Sequence, residues 1–185
     1  MGAVKTPLRN RRSRYFSGRT QDCILAALEV TLAWVDSRIF AAGGDHIPKH
    51  WDEFAGQTGI EAVLHLQPGG PTAFSGGPPA RFLWLGIGSE ADADMGARWA
   101  AGRFILESLD RGQRVLLHSS QGRHRVRWAF VAYLICSGKT AEAAVRAASA
   151  PPWLAPYRTR PAAWDHFAHF VRSQTEPAVT AESSR

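Results

Sequence analysis

The sequence predicts one α/β domain with a mainly parallel central sheet flanked by helices, and three observations carry that expectation. Short apolar runs of strand length alternate along the chain with longer runs in which apolar residues recur at helical spacing. Glycine- and proline-rich breaks separate the runs, and no unit repeats. One stretch, Gln113 to Cys136, reads as strand, tight polar loop and helix in immediate succession. The chain has 185 residues, 45% of them apolar, which suits a single domain with a real core. That domain is expected over residues 22–173, between a basic flexible arm at 1–21 and a disordered tail at 174–185.

Taken in order, residues 22–30 are mostly apolar and suit a short helix. Thr31–Val35 and Arg38–Ala41 read as strands split by a turn at Asp36-Ser37, and Gly43-Gly44 follow. Pro48 to Gln57 reads as a helix. Proline suits its first turn, Trp51, Phe54 and Ala55 fall at helical spacing, and Gly59 ends it. Glu61–Leu66 is a strand, and residues 68–79 form a glycine and proline loop. Arg81–Ile87 is the next strand, followed by an acidic loop with Glu90, Asp92 and Asp94. Met95–Leu109 is an amphipathic helix ended by Arg111-Gly112. Beyond the central stretch, Thr140 is a plausible cap for a helix through Ala148. Pro161 opens a last helix with Trp164, Phe167, Phe170 and Val171 on its apolar side. Trp84, Trp99 and Trp128 are expected in the core.

The central stretch carries the chemistry. Val115-Leu116-Leu117 is an apolar strand, residues 118–125 are polar, and Val126–Cys136 is an apolar helix. Backbone N–H groups of such a loop and the positive end of the helix converge on one point, which suits an anion. Gly122 is the loop's residue free to take positive φ. Arg123 and Arg125 supply planar forks that match phosphate oxygens.

His118-Ser119-x-x-Gly122-x-x-Arg125 resembles the H-C-x-x-G-x-x-R loop of the cysteine-dependent protein phosphatases, in particular the dual-specificity branch. The resemblance covers about residues 34–173. It implies that Ser120, Gln121, Gly122, Arg123, His124 and Arg125 form the phosphate cradle and that Arg125 clamps the anion. It implies that His118 holds the loop and that Asp92, or else Asp94, stands at the general-acid position. Two residues depart from the family pattern. Ser119 occupies the place of the nucleophilic cysteine, and Val126 the place of a hydroxyl residue that helps the thiolate leave.

A thiol at a positive helix start is ionised at neutral pH, whereas a serine hydroxyl stays protonated and needs an adjacent base. The chain as written is therefore expected to hydrolyse no phosphate ester. Asp92 and Asp94 also precede a helix, where either would suit the dipole or the cap. Three functions follow from the resemblance. The first is a pseudophosphatase that binds a phosphorylated protein or a small phosphate ester. The second is an active phosphatase seen with its cysteine changed to serine. The third is an interaction scaffold that uses the fold without phosphate.

The net charge of +6 is localised. Lys5, Arg9, Arg11, Arg12, Arg14 and Arg19 lie in the first 20 residues without an acid, and the rest holds 16 basic and 16 acidic residues. The domain is thus formally neutral, and contact with an anionic surface would fall to the arm. Arg123, His124 and Arg127, each taken alone, read as solvated surface charges. Cys23 and Cys136 have neither metal-ligand nor redox spacing, which suggests a reducing, cytoplasmic setting. No cofactor or metal is expected, and Asp165, His166 and His169 read as one wet helix face. No run reaches the ~18 apolar residues of a membrane span, and the arginine-rich start lacks the apolar core of a secretory signal.

Overall fold

The computed structural model describes residues 32–44, 47, 50–69, 76–91, 93–150 and 160–175. The arm, the helix expected over 22–30, Cys23, Pro48, Asp92 and residues 176–185 lie outside them. The elements in chain order are β1 (Leu32–Asp36), β2 (Ile39–Gly43), α1 (Trp51–Thr58), β3 (Ile60–His65), β4 (Arg81–Trp84), α2 (Met95–Asp110), β5 (Arg114–Ser119), α3 (His124–Cys136), α4 (Ala141–Ala147) and α5 (Pro161–Thr175).

The sheet order is β1-β2-β5-β3-β4. β1 pairs antiparallel with β2, and every other pairing is parallel. β5 is central because it is the most apolar strand, with Val115, Leu116 and Leu117 wholly buried between two layers. Alternate residues feed opposite faces. Leu116 joins Val63, Ile60, Trp51 and Phe54 under α1. Val115 and Leu117 join Leu64 and the apolar sides of α2, α3, α4 and α5. In a parallel sheet the C-terminal ends of β2, β3 and β5 come out along one edge, and the loop after β5 opens there.

Several boundaries differ from expectation. β4 stops at Trp84 rather than Ile87, because the Ile87 N–H turns back onto the Leu85 carbonyl at 2.7 Å. Trp84 is not core: on this edge strand the residue is 39% exposed, with Nε1–H donating to the Gln67 carbonyl at 2.8 Å. Trp128 is fully buried, and Trp99 packs edge-on to Phe170. α1 begins at Trp51 and ends at Gly59, whose φ of 67° lets its N–H reach the Ala55 carbonyl at 2.7 Å. α5 continues through Thr175, so the expected tail at 174 starts inside a helix. α4 is capped by the Thr140 hydroxyl, which accepts from the Ala143 N–H at 3.2 Å. Asp165, His166 and His169 are exposed, and among the described residues no group of three metal-ligating side chains forms. Among them, too, no helix is long and apolar enough to cross a membrane.

Candidate active site

β5 delivers His118 and Ser119 to the sheet edge, and α3 begins at His124, two residues before the expected start. Arg125 therefore lies in the first turn, with its backbone N–H at the helix's positive end. Residues 120–123 make the turn between strand and helix. Gly122 adopts φ 62°, a conformation that strains any residue with a Cβ. A Cβ there would also stand 2.7 Å from the Ala42 carbonyl carbon and 2.8 Å from the Gly43 nitrogen. The reverse holds at Gly43, where a Cβ would meet the Gln121 carbonyl carbon at 2.6 Å. Loop backbone and β2 backbone are pressed together, and the Gly44 N–H donates to the Ser120 carbonyl at 2.9 Å. Gly43, the last residue of β2, and Gly44 after it are thus the two residues of that pair that meet the loop.

Ser119 is 2% exposed. The Gly122 N–H donates to both the carbonyl and the Oγ of Ser119 at 3.1 Å. The amide of Gly122 thus closes the turn onto Ser119. An N–H donor at Oγ also does nothing to remove the hydroxyl proton. Val126, where a hydroxyl was expected by resemblance, is fully buried in the main core.

Arg125 is fixed by backbone acceptors. Its Nη1 donates to the Leu66 carbonyl at 2.5 Å and to the Ile87 carbonyl at 3.0 Å, and its Nη2 donates to Ser120 Oγ. β3, the segment after β4 and the loop itself thereby converge on one guanidinium. Burial pulls its pKa below the ordinary arginine value, and Glu90 opposes that pull.

A cavity of about 250 Å³ opens beside this cation. Residues 119–121, His124 and Arg125 form one wall, and residues 88–90 the other. Among the described residues the acid that lines it is Glu90, only 5% exposed. Its Oε1 accepts no hydrogen bond, and His124 Nδ1 stands 3.8 Å away. Asp94 is elsewhere engaged: its Oδ1 accepts from the Ala97 N–H at 2.7 Å and caps α2. Asp92 lies outside the described residues. A larger hollow of about 490 Å³, between α4 and α5, has no such convergence on a held cation.

Two neighbours of the loop are not what their types suggest. Arg127 is 7% exposed and donates to Ser149 Oγ, so it belongs to the packing between α3 and the end of α4 and not to the solvated face. The loop also has a support that sequence reasoning missed. His118 Nδ1 lies 3.0 Å from Nδ1 of His65, the last residue of β3, and both rings are buried. Burial, and secondly the Arg125 cation, lower the His65 pKa. The signal that finds His65 is the strand register, which sets His65 opposite His118 at the ends of adjacent parallel strands.

The order of strands, the loop at the parallel edge and the arginine at the helix start decide the architecture. This is the dual-specificity phosphatase fold. A mouse putative dual specificity phosphatase complexed with zinc tungstate superposes with a TM-score of 0.60 at 19% identity, over 77% of this chain and 89% of its own. Human DUSP28 gives 0.60 at 17% identity, over 78% and 100%. PTPMT1 in complex with PI(5)P gives 0.59 at 14% identity, over 78% and 99%. No family model matches the chain, and no curated protein matches it in sequence.

Proposed function

We propose that this domain is a pseudophosphatase that holds a phosphorylated protein or small phosphate ester in the loop of residues 119–125 without turning it over. One observation carries the reading. The clamp is assembled, with Arg125 held by three acceptors beside an open cavity, while the attacking position holds a serine hydroxyl whose Oγ accepts from an amide. A cation at a helix N-terminus is unfavourable until an anion joins it, and a phosphate supplies that anion. The tungstate and PI(5)P carried by two proteins of this fold support an oxyanion or phosphate ester as the ligand. The burial of Val126 supports a loop released from thiolate chemistry. The free thiol of Cys136 fits a reducing, cytoplasmic setting.

Tungstate or vanadate binding, measured by calorimetry on the parent and on Arg125→Ala, tests the reading. The substitution is expected to weaken binding by roughly 1.5–3 kcal/mol, the scale of hydrogen bonds to a charged group. Equal binding by both proteins defeats it, and no binding by the parent favours a scaffold without phosphate. Aryl phosphate turnover by the parent is expected to be nil. Turnover that disappears in Ser119→Ala would make the domain an enzyme. In Ser119→Cys the new thiol is expected to ionise readily at the helix start. With Val126 unable to assist the leaving thiolate, a burst followed by slow turnover is expected. Full turnover from that single change would instead favour an active phosphatase seen in its serine form.

A further inference from the structure

The contact beneath the loop sets a condition on protons. His65 and His118 are 2% and 1% exposed, their rings lie 26° from parallel with centroids 5.1 Å apart, and their Nδ1 atoms are 3.0 Å apart. A hydrogen bond between two imidazole nitrogens needs one proton between them. One ring must carry its hydrogen on Nδ1, and the other must present a bare Nδ1 with its hydrogen on Nε2. A second proton at this contact sets N–H against N–H. We propose that His65 is a positioning residue for the anion loop, and that its bond to His118 holds the loop only while one proton lies between them, so that anion binding is lost in acid. The proposal rests on the phosphate-binding reading above.

The links from this pair to the site are short. Leu66 follows His65, and its carbonyl takes the Arg125 guanidinium. The Leu66 N–H donates to the His118 carbonyl at 2.8 Å. Ser119 follows His118 and takes the Gly122 N–H. Separation of the two rings therefore acts on the residue that aims the cation and on the residue that closes the turn. Among the described residues, neighbours of the pair come from several elements, with Trp51 and Phe54 of α1 packed on the face that Val63 and Leu116 share. From α3 comes Arg125, whose charge adds to burial in resisting protonation of His65. From β4 comes the uncharged ring of Phe82, 6.3 Å from that of His65. On β2 the residue in register with His118 is Ala42.

The sign of the pH effect separates this mechanism from ordinary charge. Glu90 and His124 line the cavity itself. Charge alone works one way: a protein that gains protons becomes more positive and holds an anion more tightly. The histidine pair gives the opposite sign, because a cation forced onto it opens the support beneath the loop.

The test uses the full chain and sulfate, which stays doubly charged across the range. Calorimetry from about pH 8 to 5 is expected to show the parent losing affinity by about tenfold or more, the scale of one hydrogen bond to a charged group. His65→Asn keeps a donor and an acceptor but no titrating nitrogen, and it is expected not to lose sulfate in acid. In the unliganded parent, imidazole nitrogen spectra are expected to show opposite tautomers. The Gly122 amide signal is expected to move only as the pair takes up its extra proton, below the ordinary histidine range near ~6.5. These parent readouts decide the matter even if the variant does not fold. Tighter sulfate binding in acid by the parent overturns the proposal and leaves the phosphate reading standing. A Gly122 signal indifferent to the imidazoles, or rings sharing one tautomer, overturns it as well. If sulfate never binds but Gly122 follows the pair, the phosphate reading falls and the positioning role of His65 stands.

Discussion

Two segments meet at the same cavity, the loop of residues 119–125 and the acidic run that starts with residues 88–90 on the opposite wall and leads to α2, and they are determined in different ways. The first is held by backbone. Gly122 in the loop and Gly43 in β2 each leave room for the other's backbone, the Gly44 amide ties down Ser120, and the Gly122 amide ties down Ser119. The second is held by side chains. Asp94 turns to the start of α2 and Glu90 turns to the cavity, although both stand in one acidic run. A segment fixed by backbone contact tolerates almost no change at its glycines. One fixed by side chains divides its functions residue by residue.

The sharpest way to break this comparison is Gly122→Ala. It adds a Cβ at 2.7 Å from the Ala42 backbone to a residue at φ 62°. The expected outcome is a loss of about 3 kcal/mol or more in urea denaturation together with loss of tungstate binding. A variant that stays stable and binds tungstate would show that the loop is not fixed by backbone. Smaller is the effect of pH on stability. His65 has a lower pKa folded than unfolded, so the unfolded chain binds more protons below the ordinary histidine value near ~6.5. Stability is therefore complete above that value and is lost as pH falls toward the folded pKa, where the loss levels off. Denaturation midpoints across this window should slope in the parent and flatten in His65→Asn.

The last prediction separates the two acids. Asp94→Ala removes a helix cap and is expected to cost about 1 kcal/mol of stability without changing tungstate affinity. Glu90→Gln removes a buried negative charge whose Oε1 accepts no hydrogen bond, so tighter tungstate binding with little change in midpoint is expected. The reverse pattern, with binding altered by Asp94 and stability by Glu90, would undo the division of labour drawn here.

Much of the fold was legible beforehand because it rests on period and punctuation. Helical spacing in Trp51, Phe54 and Ala55, the apolar run of β5 and the glycine stops are local signals, and the corresponding elements stand within a few residues of expectation. The boundary errors have local causes as well: a tight turn at Gly86 cuts β4 short, and polar residues His124 and Arg125 enter α3 early. The exposure of Trp84 was not legible, since an edge strand and an interior strand have the same pattern until the order is known.

What the sequence alone determined is the string of elements, the positive-φ glycine, the basic turn between β5 and α3 and the serine that follows His118 at its start. Each is a property of neighbours along the chain. The tertiary structure alone decided which acid enters the cavity, what holds Arg125, why Arg127 is buried and that His65 meets His118. These contacts join residues far apart in sequence, 59 positions for Arg125 and Leu66 and 53 for the histidine pair. Side-chain partners at such separations are set by strand order and register, which no local pattern encodes, and the chemistry of this site depends on them.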